Sequence, residues 1–141
     1  MILTVIKIIL VCVAVLAVLY MLAIMPRIFN RPDTTLFKKR YFAHRGLHDN
    51  ASDAPENSMA AFRKAVEAGL GMELDVQVTK DGVPVVFHDF KLERICGAPG
   101  KIADSTYEEL QAYTLCDSKE RIPRFSELLE MVDGQVPLIV E

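Results

Sequence analysis

The sequence predicts an α/β domain preceded by a single apolar helix. Three observations predict it: an uncharged apolar run over residues 8–25, a strand–helix–strand succession between residues 41 and 76, and a second strand that turns straight into a hairpin. The 141 residues suit one domain, and the 51% hydrophobic content is inflated by the N-terminal run. The net charge of −3 comes without a basic stripe interleaved with aromatics, so no nucleic-acid partner is expected. Cys12, Cys96 and Cys116 have neither CxxC nor metal-type spacing. An odd, sparse set argues against a disulfide framework and fits a reducing compartment.

Residues 8–25, IILVCVAVLAVLYMLAIM, carry no charge and no helix breaker. With residues 1–6 they are long enough to cross a bilayer core of about 30 Å as one helix. A cleavable signal would have a shorter apolar core and a small-residue cleavage site, and neither is evident near Pro26. The expectation is a retained single-pass anchor over residues 1–25. Arg27, Arg31, Lys38, Lys39 and Arg40 follow it, against only Lys7 and the α-amino group before it. That asymmetry predicts a cytoplasmic C-terminal domain, although the same charges would also suit lipid headgroups. Residues 26–40, polar and carrying two prolines, read as a linker.

The domain over residues 41–141 opens with a short β-prone run that ends in His44, Arg45 and Gly46. An arginine at a strand end can offer a bidentate fork to a phosphate. His48 reads as solvent-exposed and not a ligand. Asn57 or Ser58 can cap a helix whose Met59, Phe62 and Val66 recur at helical spacing, with Gly69 past its end. That helix feeds a second strand parallel to the first, as in a βαβ unit.

In the second strand Glu73 and Asp75 alternate with Met72, Leu74 and Val76, so both carboxylates share one face. Burying such a pair is costly unless a cation or hydrogen-bond network receives it. The TKDG turn at 79–82 is too short for a crossover helix and predicts a hairpin, which returns His88 close to Glu73 and Asp75. An acidic strand pair is most often a solvated face, and a lone strand-end histidine is usually structural. Here three segments converge on one sheet edge, which points to a site for metal-assisted chemistry.

Residues 90–102 read as a loop. Asp104 or Ser105 can cap a short helix over 107–112, and residues 115–121 form a polar connector. A further helix begins near residue 122 with Phe125, Leu128, Leu129 and Val132 as its apolar stripe, and Asp133-Gly134 stops it. Residues 136–141 predict a buried strand that delivers Glu141.

Taken together, HRG at 44–46, PENS at 55–58, ELDV at 73–76, TKDG at 79–82 and HD at 88–89 resemble the glycerophosphodiester phosphodiesterases. The resemblance runs over residues 41–141 and includes IPRFSELL and the closing LIVE. It implies a TIM-type (β/α) barrel with its site at the C-terminal strand ends. By that resemblance His44 and His88 are the acid/base pair, Arg45 grips the phosphate, and Glu73, Asp75 and Glu141 hold a divalent cation, Ca²⁺ or Mg²⁺. Glu56 and Asn57 match the PEN motif as support for the site. The implied reaction is hydrolysis of a small-molecule glycerophosphodiester to glycerol 3-phosphate and an alcohol. The alternatives are a lysophospholipase D-like hydrolase of membrane lipids and a catalytically inactive membrane-bound remnant. A barrel of this type needs about 250 residues, so only its first half is expected here, as a piece of a longer protein that is not catalytic alone.

Overall fold

The computed structural model describes residues 2–26, 29, 31–35 and 37–141. Met1 of the expected anchor, and Arg27, Ile28, Asn30 and Leu36 of the expected linker, lie outside the described residues. The chain forms two compact units, residues 1–34 and 35–141. The first is built on helix α1, Ile2–Ile24. Its 23 residues span about 34 Å at 1.5 Å per residue. With a mean hydropathy of 3.1 and none of its residues buried, α1 is long and apolar enough to cross a membrane.

The second unit begins with strand β1 (Phe42–His44), helix α2 (Met59–Glu67) and strand β2 (Gly71–Leu74). As the sequence predicts, β1 and β2 are parallel, with His44 opposite Glu73. Ser58, not Asn57, caps α2: its hydroxyl accepts the Ala61 N–H at 3.1 Å. Gly46 meets two demands at once. Its φ is +81°, and a Cβ there would lie 3.0 Å from the Ala61 backbone and the Phe62 ring. Only glycine lets the turn after β1 pass that close to α2.

At Asp75 the chain changes partners. Beyond it, β3 (Val76–Val78) pairs antiparallel with β4 (Pro84–Val86), which is the expected hairpin. The segment after β4 differs from the expected loop: Glu93–Cys96 form a one-turn helix, α3, followed by a 3₁₀ turn at Ile102–Asp104. Leu92, Ile95 and Ile102 are buried there with Val85, Phe87 and Leu110, so burial in this second apolar cluster orders a stretch whose local sequence signals a loop. Helix α4 (Tyr107–Leu110) is capped by Thr106 in a reciprocal box with Glu109, and not by Asp104 or Ser105, which close the preceding turn.

Helix α5 (Phe125–Val132) stops at Asp133, whose φ is +42°. Leu128 and Val132 are buried one turn apart, whereas Leu129, turned about 100° away, is 45% exposed and leaves the expected stripe. Strand β5 (Leu138–Val140) then pairs parallel with β2, giving the order β1-β2-β5. The sequence predicts a buried final strand, and among the described residues β5 lies at the sheet edge. Ile139 and Val140 are 38% and 47% exposed. The principal core lies between this sheet and helices α2 and α5, and includes Phe62, Met72, Leu74, Leu128 and Val132.

Candidate active site

Parallel pairing brings the C-terminal ends of all three strands to one edge, and the chemistry-bearing residues follow from that. His44 ends β1, Glu73 lies in β2, and Asp75 and Glu141 directly follow β2 and β5. The ladder continues one step past the strands: Glu141 N–H donates to the Leu74 carbonyl at 3.0 Å, and Val76 N–H to the Glu141 carbonyl at 2.9 Å. One carboxylate oxygen each from Glu73, Asp75 and Glu141 therefore fall within 4.8 Å of one another. Met72 and Leu74, on the opposite face, are fully buried, so core packing sets the direction in which the acids point.

His44 Nε2 lies 3.8 Å from Glu73 Oε2, and its side chain is 67% exposed. Arg45 has a φ of +55°, and its backbone N–H donates to the Glu73 carbonyl at 2.9 Å. Its Nη1 donates to Glu56 Oε1 at 2.7 Å, while Nε stands 3.6 Å from Asp75 Oδ2. That Nε is buried without a hydrogen-bond acceptor among the described residues. Asn57, also at positive φ (57°), donates Nδ2 to Asp75 Oδ2 at 3.1 Å, and its Oδ1 is buried without a donor. His48 is exposed, as the sequence predicts, and its Nδ1 lies 3.0 Å from the His44 carbonyl.

His88 follows β4. Phe87 N–H donates to the Asp75 carbonyl at 2.9 Å, which brings the His88 backbone to the edge where the acids lie. The Gln77 amide bonds the carbonyls of Phe87, His88 and Asp89 at 2.8, 3.0 and 2.8 Å. The imidazole pairs through Nδ1 with Asp89 Oδ1 at 2.6 Å. Three contributors are missing from the sequence-based reading: Asp89 as partner of His88, Gln77 as its backbone clamp, and Arg94. The HD motif was a signal for the first; nothing local marks the other two.

Glu56 is the most tightly held acid, 5% exposed and bonded by Arg94, Asn50 and Arg45. Hydrogen bonds from Arg94, reinforced by Asn50 and Arg45, outweigh burial and hold its carboxyl well below the usual range. Arg94 likewise brings Asp89 down to about 2 against the opposing effect of burial, with His88 adding to it. The ion pairs in turn push the Arg94 guanidinium upward, Glu56 contributing more than Asp89.

Because both carboxyl groups are depressed on folding, their stabilisation is complete above the usual values of 4.5 and 3.8 and is lost as pH falls toward 2. Unfolding free energies from urea titrations should therefore fall as pH drops below about 4.5. A Glu56→Gln variant should show a shallower acid slope; an unchanged slope would count against this origin.

Comparisons with known proteins place the domain in a family. The model described as the glycerophosphoryl diester phosphodiesterase family matches residues 44–141. A glycerophosphodiester phosphodiesterase of Bacillus altitudinis is 44% identical over 100 residues, covering 66% of this chain and 40% of that protein. One from Caldanaerobacter subterraneus is 42% identical over 102 residues, covering 67% of this chain and 41% of the relative. The chain thus spans about two fifths of the length of these curated relatives. A glycerophosphoryl diester phosphodiesterase structure from Parabacteroides distasonis matches with a TM-score of 0.65 at 35% identity, covering 72% of this chain and 37% of that one. A phosphodiesterase structure from Oleispira antarctica, in complex with the product sn-glycerol-3-phosphate, matches with a TM-score of 0.65 at 30% identity, over 74% of this chain and 44% of that one. The family fold is the TIM-type barrel, and the succession from β1 to β5 corresponds to part of it.

Proposed function

This chain belongs to the glycerophosphoryl diester phosphodiesterase family, and from that premise we propose that the complete protein hydrolyses glycerophosphodiesters to glycerol 3-phosphate and an alcohol. The observation that carries the reading is the convergence of Glu73, Asp75 and Glu141 within 4.8 Å at the strand edge bearing His44 and Arg45.

Three hard carboxylate donors, beside an Asn57 whose buried Oδ1 lacks a donor, fit a hard divalent cation, Ca²⁺ or Mg²⁺. When bound, such a cation would offset negative charge on the phosphoryl oxygens. Arg45, with a buried and unaccepted Nε, would donate to a non-bridging oxygen while Glu56 holds its other side. One of His44 and His88 takes the proton from the attacking glycerol 2-hydroxyl, and the other gives a proton to the leaving alkoxide. Water then opens the resulting cyclic phosphate, with the histidine roles reversed.

A second reading is favoured by α1. Residues 1–25 would serve as a retained anchor and 26–40 as a linker, with the catalytic domain (41–141 and beyond) on the cytoplasmic side. The same residues would then act on lysophospholipids at the bilayer, as in a lysophospholipase D. One assay separates the readings: the complete protein, in membranes and then in detergent, is offered glycerophosphocholine and lysophosphatidylcholine. The expected result is membrane-bound release of choline from the first, abolished by chelation and restored by Ca²⁺ or Mg²⁺, with the domain open to protease only from the cytoplasmic face. Preference for the lysolipid would favour the second reading; inactivity on both would leave an inert remnant.

A further inference from the structure

The residue that ties the two halves of this site together is Arg94, on the one-turn helix α3. Leu92 and Ile95, its buried neighbours, seat that turn in the second apolar cluster. The turn is closed by Cys96 N–H on the Leu92 carbonyl at 2.8 Å, with Gly97 following at φ +62°. The guanidinium is therefore presented from a fixed mount and not from a loose loop.

From there it forks twice. Nε and Nη2 donate to Asp89 at 2.7 and 2.9 Å, and Nη1 and Nη2 donate to Glu56 at 2.9 and 2.8 Å. Asp89 is the partner of His88, and Glu56 is the partner of Arg45. One planar cation thus joins the loop after β4 to the loop after β1, across the 38 positions that separate Arg94 from Glu56. We propose that Arg94 is a positioning residue, which fixes the orientation and tautomer of His88 through Asp89 while holding Glu56 in place behind Arg45.

The chemistry of each contact gives the reason. An ionised Asp89 can only accept, so His88 Nδ1 carries the proton and Nε2 is left to exchange protons with substrate. An imidazole–carboxylate pair whose histidine side chain is 44% exposed is weakly held by itself. Bidentate donation from Arg94 removes the freedom of the Asp89 carboxylate to rotate, and with it the freedom of the ring. Lysine cannot substitute: its ammonium is a single point, and it cannot present flat pairs of donors to two carboxylates.

The inference rests on the acid/base role proposed above for His88, so its test includes a readout independent of turnover. The His88 ring signals are identified in the ¹⁵N spectrum of the complete detergent-solubilised protein by their disappearance in a His88→Asn variant. Wild type should show His88 as the Nδ1–H tautomer, and Arg94→Ala should show it averaged between tautomers. In turnover, Arg94→Ala should lose about 100-fold in kcat with a much smaller change in KM, as misplacement of a catalytic group does. Millimolar guanidinium should restore part of that loss, whereas Arg94→Lys, which keeps the charge and guards against misfolding of the alanine variant, should stay impaired. An unchanged His88 spectrum in Arg94→Ala and Arg94→Lys, or wild-type kcat in Arg94→Lys, would overturn the proposal. If wild type itself cleaves no phosphodiester, the functional reading fails while the spectra still decide the clamp.

Discussion

His44→Ala and His88→Ala are each expected to lower phosphodiester turnover by about 10²–10⁴-fold while leaving the thermal unfolding midpoint nearly unchanged. The kinetic size follows from the usual contribution of a positioned general acid or base. The small structural effect follows from location: the His44 and His88 side chains are 67% and 44% exposed and lie outside both apolar clusters. Substitutions at such positions usually shift stability by no more than about 0.5 kcal/mol. Steady-state kinetics and a melting curve on the same preparations of the complete protein decide it. Turnover at the wild-type rate in either variant would remove that histidine from the mechanism. The double variant should be little worse than either single one, because groups that act as a unit are strongly non-additive.

Glu141→Gln carries the second large effect, on metal binding. Three carboxylates within 4.8 Å repel one another unless a cation lies between them. Adding millimolar Ca²⁺ or Mg²⁺ to wild type should therefore raise its melting temperature, since a ligand at 100 times its Kd stabilises the native state by about 2.7 kcal/mol. In Glu141→Gln that rise should vanish, affinity by calorimetry should fall at least about 100-fold, and turnover should fall with it. Without metal the variant should melt no lower than wild type, because one member of a repelling trio has been neutralised. Equal stabilisation of both proteins by the cation would place the binding site elsewhere.

Much of this arrangement is legible along the chain because it depends on short-range rules. Alternation in the second strand places Glu73 and Asp75 opposite Met72 and Leu74, as the structure has them. The 79–82 turn closes a hairpin since too few residues remain for a crossover. Ser58, Asp133 and Gly134 end helices through local backbone chemistry. Where several local candidates compete, the rules lose resolution. The cap of α4 moved to Thr106, whose reciprocal bond with Glu109 satisfies two backbone groups that neither Asp104 nor Ser105 satisfies.

The sequence by itself therefore determined the strand–helix–strand order, the shared face of the two strand acids, the hairpin and the long apolar helix. All of these follow from period, composition and turn chemistry within a few residues. The family resemblance already grouped Glu141 with Glu73 and Asp75; only the tertiary structure decided the strand pairing that brings them within 4.8 Å, that residues 93–96 coil into a helix, and that Arg94 bridges Glu56 to Asp89. The reason is physical: parallel pairing and apolar burial choose which distant loops meet, and ion pairs then form among whatever charges that burial has brought within 3 Å.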